Sequence, residues 1–325
     1  MHKAAIVGCG WVGAAHAGGY QAIENCEIAG FQDSITTESR KLATKYGGES
    51  YETLEELLNE SGADIVSVCT PPDMHHHVIQ VAIESGINNI VCEKPLANKM
   101  GAARSISDLV SRNQSKFMLA FCHRFIEPVQ KIKKLLDQGE LGRPIMLRNE
   151  FSTYFEGVWN RWFSRKEVSG GGCMMDTSSH SIDLFRHLCG EVESVSARIS
   201  TGLPELDVED TSCLLLQSIN GCIGILEASW NTKAGNAELE VIGTEGRAHY
   251  QYWGDLRVKT KGNHEWKKIP IERNINYRFE DELRHFIKVI DGQANEYPGV
   301  KDGLKSVEII NAAYQSVGEE IWRKL

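Results

Sequence analysis

Residues 4–20 read AAIVGCGWVGAAHAGGY, and this stretch decides the fold. A run of four apolar residues ends in Gly8-Cys9-Gly10-Trp11-Val12-Gly13, and a helical pattern over 12–23 takes over at once. A short, fully apolar strand that turns through glycines into a helix is the entry to a dinucleotide-binding βαβ unit. The first glycine permits the tight turn, and the second lets the backbone approach a pyrophosphate. The third lets helix and strand pack closely, so that the N–H groups around Trp11 and Val12 face the phosphates. Asp33 ends the next apolar run, 20 residues after Gly13. An acid there accepts hydrogen bonds from both ribose hydroxyls and repels a 2′-phosphate, which favours NAD. Ser34 joins this cofactor edge, and with Arg40 and Lys41 it keeps NADP as the alternative.

Working outward, apolar runs at 28–31, 65–69, 90–92 and 117–121 alternate with helical patterns at 37–46, 54–58, 75–84 and 102–110. Residues 1–122 therefore read as an α/β Rossmann domain, a doubly wound parallel sheet covered on both faces. Residues 123–325 read as an α+β substrate-binding and oligomerisation domain with a large, mostly antiparallel open sheet. Its expected strands are 145–154, 192–199, 211–216, 222–230, 237–242 and 247–252, with hairpin connections at 219–221 and 244–246. Helices are expected at 129–136, 176–188, 279–290 and 304–322, the last able to pack back on the first domain.

Bulk properties narrow the classes. A chain of 325 residues suggests two domains on a prior of about 150 residues each. The formal net charge of −9, without a basic block, argues against nucleic acid or an anionic membrane as partner. Nine scattered cysteines without C-x-x-C spacing point to a reduced compartment. No apolar stretch approaches the ~20 residues of a membrane span. The expectation is a soluble, cytoplasmic protein.

Strand ends at the carboxyl edge of a doubly wound sheet line the ligand crevice. Thr70, Pro71 and Pro72 end one such strand, with His75 opening the next helix. The run His75-His76-His77 cannot converge on one ion, because successive helical residues point about 100° apart. The next strand ends in Glu93-Lys94-Pro95, whose proline in cis would fix the turn, and Lys94 is expected to face the nicotinamide end of the crevice.

With Gly8, Gly10, Gly13 and Thr70-Pro71-Pro72-x-x-His75, this tripeptide gives the chain its resemblance to the Gfo/Idh/MocA family of glucose–fructose oxidoreductases, inositol dehydrogenases and related sugar enzymes. The stretch GGGCMMDTSSHSID, residues 170–183, resembles the second motif of that family. The resemblance implies that Lys94 is the catalytic lysine at the reacting hydroxyl. It implies that His180 is the acid/base, and that Asp176 is its partner and a substrate ligand. Arg124-Phe125, preceded by His123, resembles the family's Arg-aromatic pair, and Trp230-Asn231 resembles a segment that lines the substrate pocket; the resemblance implies that His123, Arg124 and Asn231 contact substrate. Pro72 departs from the usual Thr-Pro-Asn and removes one side-chain contact to the cofactor.

The residues make sense without the family. Asp176, His180 and Asp183 at i, i+4 and i+7 share a helix face, and a carboxylate beside a histidine stabilises its imidazolium. Adding His187 would make a one-helix metal site, which needs further ligands or curvature to close round an ion; no metal is expected. Tyr154 and Trp162, with Trp159, Asn160 and Arg161, suit a sugar or polyol pocket, and suit a packed domain joint equally well. The reading is an NAD(P)-dependent oxidoreductase of a sugar or cyclitol secondary alcohol, a homodimer or homotetramer through its antiparallel sheet. The alternatives are a catalytically silent dinucleotide-sensing regulator and an NAD-retaining enzyme with a non-redox outcome on a glycoside.

Overall fold

The computed structural model describes residues 1–262, 265–295 and 297–318. The chain divides into two compact units: Met1–Phe125 with Asn276–Lys305, and Ile126–Ile275 with the residues from Ser306 onward.

In the first unit, six strands form one parallel sheet: β1 (His2–Val7), β2 (Cys26–Gln32), β3 (Glu49–Tyr51), β4 (Ile65–Val68), β5 (Asn89–Cys92) and β6 (Lys116–Leu119). Their order is β3-β2-β1-β4-β5-β6. The crossover helices are α1 (Trp11–Gln21), α2 (Thr36–Tyr46), α3 (Leu54–Glu60), α4 (His75–Glu84) and α5 (Met100–Arg112). Ala4, Ala5, Ile6, Ile65, Val66 and Val68 are all fully buried, as strands covered on both faces must be. The strand order reverses beside β1, which opens a crevice at the carboxyl ends of β1 and β4. α3 starts on a reciprocal capping box, Thr53 with Glu56.

In the second unit come α6 (Glu127–Asp137), β7 (Pro144–Ser152), α7 (Lys166–Ser169), α8 (Cys173–Asp176) and α9 (Ser178–Cys189). Then follow β8 (Val192–Ser200), β9 (Thr211–Ser218), β10 (Ile223–Ser229), β11 (Ala237–Gly243), β12 (Gly246–Gln251), β13 (Leu256–Thr260) and β14 (Lys267–Ile269). The eight strands run β14-β13-β12-β11-β7-β10-β9-β8. β7 and β10 pair in parallel and every other neighbour is antiparallel. Leu147, Leu214, Leu226 and Val241 face inward, in one core with Ile182 and Phe185 of α9. Gly224 is where Phe185 lies against β10; a Cβ there would stand 2.8 Å from the ring. The opposite face alternates out to solvent. It carries exposed Cys213, Leu215 (54% exposed) and Ile223, and a charged row in which Glu240 pairs with Arg148 and Arg247 and His249 pairs with Glu238.

The last helices are α10 (Arg278–Ile290) and α11 (Val300–Gly318), and α11 divides between the units at Lys305. α10 lies on α1, with Leu283 and Phe286 in one core with Ala17 and Tyr20. The end of the helix expected over 304–322 lies outside the described residues. β3, β13 and β14 are additional to the sequence reading. Among the described residues, no helix is long and apolar enough to cross a membrane.

Candidate active site

The first unit builds a cradle at the carboxyl ends of β1 and β2. Gly8 sits at φ 91°, and a Cβ there would lie 2.6 Å from the Cys69 carbonyl. A Cβ on Gly13 would lie 2.0 Å from Gly8 O, whereas one on Gly10 would meet nothing within 4 Å. The loop is thus closed beneath and open above, directly before the N-terminus of α1, and this fits a dinucleotide pyrophosphate. Asp33 secures the same loop: its Oδ2 accepts the Cys9 N–H at 2.7 Å and its Oδ1 the Ile35 N–H at 2.8 Å. Ser34 Oγ donates to Oδ1 at 3.4 Å. Carboxylate oxygens accept more than one hydrogen bond each, so this leaves capacity for ribose hydroxyls. Burial, with Asp33 beside it, pushes the Cys9 thiol up to about 12. Trp11 is 67% exposed, its ring edge-on to Phe279.

Beyond β4, Thr70 is half-buried, with no partner for its buried hydroxyl among the described residues; Pro72 is buried. His75 is fully buried, its ring nitrogens 3.0 Å from Thr70 O and 3.2 Å from Leu96 O. Burial lowers its pKa, and a neutral ring donates to one of these carbonyls at a time. His75 therefore ties two crevice loops together, while His77 on the same helix is exposed.

At the end of β5, buried Glu93 turns inward. Its Oε1 lies 3.1 Å from His16 Nε2, and its Oε2 accepts the Lys94 N–H at 3.2 Å. His16 Nδ1 is 3.1 Å from Ser67 Oγ, itself 2.8 Å from the Tyr20 hydroxyl. Glu93 is thus committed to the base of the strand end, and half-buried Lys94 stands at its tip before a cis Lys94–Pro95 peptide. His123 is buried, and burial, with Arg278 and Lys94 nearby, holds its pKa well below the usual histidine range. Arg124 is buried too: its guanidinium donates to Asp302 at 3.0 Å and lies 4.3 Å over the Tyr297 ring.

Glu282 of α10 is fully buried, and among the described residues neither carboxylate oxygen has a hydrogen-bond partner. Burial first, and the Glu93 carboxylate second, push its pKa well above the ordinary value of 4.5. The folded state therefore holds a proton that the unfolded chain releases above about pH 4.3, and stability falls as pH rises from there through the folded pKa. Glu282→Gln removes this titration. Its melting temperature should exceed that of the parent at pH 8 and the margin should narrow toward pH 5, as calorimetry across that range would read. A constant margin would assign Glu282 a different state.

In the second unit, α8 ends at Asp176, and Thr177 keeps helical dihedrals (φ −78°, ψ −47°), so the helical phase carries through to His180. Asp176 and His180 are half-buried and Asp183 is buried. The Trp230 indole N–H donates to Thr177 Oγ1 at 2.9 Å, tying the end of β10 to this junction. A cavity of about 590 Å³ opens beside it, its wall including Asp176, Thr177, Tyr154, Lys233 and Trp253. Trp162 and Asn231 are not among its lining residues. Trp162 stacks on Phe163 with centroids 3.8 Å apart, and Asn231 bridges to Tyr154 through the backbone.

The sequence reading missed Glu209. Its Oε1 accepts the Gly172 and Met174 N–H groups at 3.0 and 2.9 Å and the Tyr314 hydroxyl at 2.8 Å, which anchors the start of the helix carrying Asp176. The three-glycine run makes this approach feasible, since a Cβ on Gly172 would lie 1.8 Å from Glu209 O. That run was the only signal available, and it did not identify the acid.

Residues 2–121 match the oxidoreductase family with NAD-binding Rossmann fold, and residues 129–249 match the GFO/IDH/MocA C-terminal domain. Levoglucosan dehydrogenase of Pseudarthrobacter phenanthrenivorans is 26% identical over 287 residues, covering 76% of this chain and 73% of the relative. Inositol 2-dehydrogenase of Rhizobium meliloti is 24% identical over 329 residues, covering 97% and 96%. Levoglucosan dehydrogenase solved with NADH and levoglucosan shares the fold, with TM-score 0.92 at 24% identity over 99% of this chain and 98% of that one. GenD2 from gentamicin A biosynthesis, solved with NAD, gives TM-score 0.84 at 27% identity over 98% and 94%.

Proposed function

The chain belongs to the Gfo/Idh/MocA family of oxidoreductases, and from that premise we propose that it is an NAD-dependent dehydrogenase of a secondary alcohol on a sugar, cyclitol or sugar derivative. The observation that carries this reading is the cradle open above Gly10, with Asp33 anchored at its edge and Lys94 on the same carboxyl edge of the sheet.

Gly8, Gly10, Gly13 and the N-terminus of α1 would hold the pyrophosphate, and Asp33 the adenosine ribose. A bound nicotinamide would accept the hydride released from the carbinol carbon. Lys94 stabilises negative charge on the substrate oxygen as its proton leaves, and Glu93, bonded to the Lys94 N–H, holds the backbone from which that ammonium projects. His180 takes the hydroxyl proton, and Asp176 engages substrate hydroxyls. Similarity to levoglucosan and inositol dehydrogenases supports an alcohol bearing several hydroxyls. Absorbance at the reduced-nicotinamide band, followed over a panel of inositols, aldoses, anhydrosugars and amino sugars with NAD and NADP, tests the reading. Reduction with no member of the panel would refute it.

Asp33→Ala should weaken NAD and narrow its advantage over NADP by about tenfold or more, the loss of one charge-assisted hydrogen bond at ~1.5–3 kcal/mol. Since Asp33 also holds the Cys9 and Ile35 N–H groups, part of the loss will appear with both cofactors. An unchanged NAD to NADP ratio would overturn the assignment.

The outer face of the eight-stranded sheet, with exposed Leu215 and Ile223 beside the charged row, favours association with a second copy of the chain. Light scattering should give a dimer or tetramer, and a monomeric mass at micromolar concentration would rule this out.

A further inference from the structure

We propose that the cavity of the second unit is an extended sugar site, in which Trp253 forms a stacking subsite for a second pyranose ring joined to the one that Asp176 engages. This deepens the sugar-oxidoreductase reading and rests on it.

A cavity of about 590 Å³ lies in the range that encloses whole drug-sized ligands, and a single six-membered ring leaves much of it to water. Its breadth follows from the sheet. Thr177 is tied to Trp230 at the end of β10, and Trp253 follows the end of β12. β7 and β11 lie between those strands, so the two ends of the wall are three strand spacings apart. At about 4.8 Å per spacing that is roughly 14 Å, more than one pyranose spans.

Trp253 stands at φ 62°, one of two non-glycine residues with positive φ among those described, and it is 69% exposed. A bulky residue in the left-handed region costs roughly 1–2 kcal/mol, and burial of the ring does not offset that here. Its turn closes through Gly254 N–H donating to Gln251 O at 2.9 Å and Gln251 N–H donating to Asp255 O at 3.1 Å. Gly254 is the adjacent residue and would take a left-handed position without strain, yet the tryptophan occupies it. Strain of this kind, retained without a packing return, is characteristic of ligand sites.

Tyr154 lines the cavity with Lys233 Nζ 5.4 Å over its ring, so one aromatic partner is already engaged by a cation. The indole of Trp253 contacts Tyr252 at a centroid distance of 6.2 Å and leaves most of its surface to solvent. A flat, weakly polar platform at the end of the wall away from Asp176, in a cavity also lined by Asn236, matches a pyranose, with its apolar C–H face and hydroxyl edge.

The experiment compares sugars in pairs, each parent beside a larger sugar carrying the same ring: glucose with maltose and cellobiose, and galactose with lactose, where that ring is at the non-reducing end, and inositol with a glycosylated inositol, where it is the aglycone. For at least one pair, NAD-linked kcat/KM should favour the larger sugar. In Trp253→Asn that ratio should fall about tenfold, the size of a lost aromatic stack of ~1.4 kcal/mol. Asparagine tolerates the left-handed region, so the variant should melt at or above the parent temperature, and a folding defect cannot mimic the result. A ratio that stays constant, or parents turned over while no larger sugar is, overturns the subsite and leaves the dehydrogenase reading standing. Turnover of no sugar at all refutes that reading instead. In that case, saturable quenching of tryptophan fluorescence by maltose or lactose, lost in Trp253→Asn, would still support the subsite, and its absence would end it. If the substitution lowers the mass by light scattering and leaves the ratio alone, Trp253 is a self-association contact and the proposal is wrong.

Discussion

Lys94→Ala should lower kcat about a hundred- to a thousandfold, the ~2.7–4 kcal/mol typical of removing one fixed donor from a developing oxyanion. Affinity for NADH, read by fluorescence titration, should change by less than about fivefold, because the pyrophosphate cradle and Asp33 lie on other loops of the crevice. The asymmetry is the point of the experiment. A residue that merely packs the end of β5 would move stability and both constants together. Glu93 supplies the control: its oxygens go to His16 and to the backbone N–H of Lys94, so the strand end keeps its support when the ammonium is removed. Turnover surviving within tenfold would remove Lys94 from the chemistry.

The second large effect comes from two alanines in one loop that should fail differently. Gly8→Ala places a Cβ 2.6 Å from the Cys69 carbonyl at a φ of 91°. Left-handed strain of ~1–2 kcal/mol and backbone overpacking of ~1–3 kcal/mol should together lower the melting temperature by about 5–15 °C, at roughly 2–4 °C per kcal/mol. Gly10→Ala meets nothing within 4 Å and has φ −72°, so the free protein should melt almost unchanged. Its methyl group nevertheless occupies the space kept open for the pyrophosphate, and NADH affinity should fall at least tenfold. Equal losses of stability in the two variants, or full NADH affinity in Gly10→Ala, would mean that the loop does not hold a dinucleotide.

The parallel sheet was legible because its central strands are largely apolar and end in turn residues. What escaped was polar and peripheral. β3 is Glu-Ser-Tyr, and β13 and β14 carry Arg257, Lys259, Lys267 and Lys268. β3 and β14 are sheet edges, where such residues resist pairing with other chains and, in three residues, leave no alternation to read; β13 alternates but is only five residues long. Candidate residues whose placement follows from local turn chemistry, such as Gly8 and Asp33, could be located from spacing. Glu209 and Trp253 could not: one acts through helix N–H groups 35 or more positions away, the other through a backbone torsion that no side-chain pattern announces. Residues 276–305 return to the first unit without any linker composition to mark it.

Of the nine thiols, Cys213 alone is exposed, on the outer face of β9 two residues from Leu215. The Cys9 thiol, beside the cofactor cradle, is kept protonated by burial and by Asp33. A maleimide dye should therefore attach at one place without touching the nucleotide loop. The molecule carries its own labelling handle on the surface where two copies are proposed to meet, so energy transfer between labelled copies can report association while turnover is followed in the same cuvette.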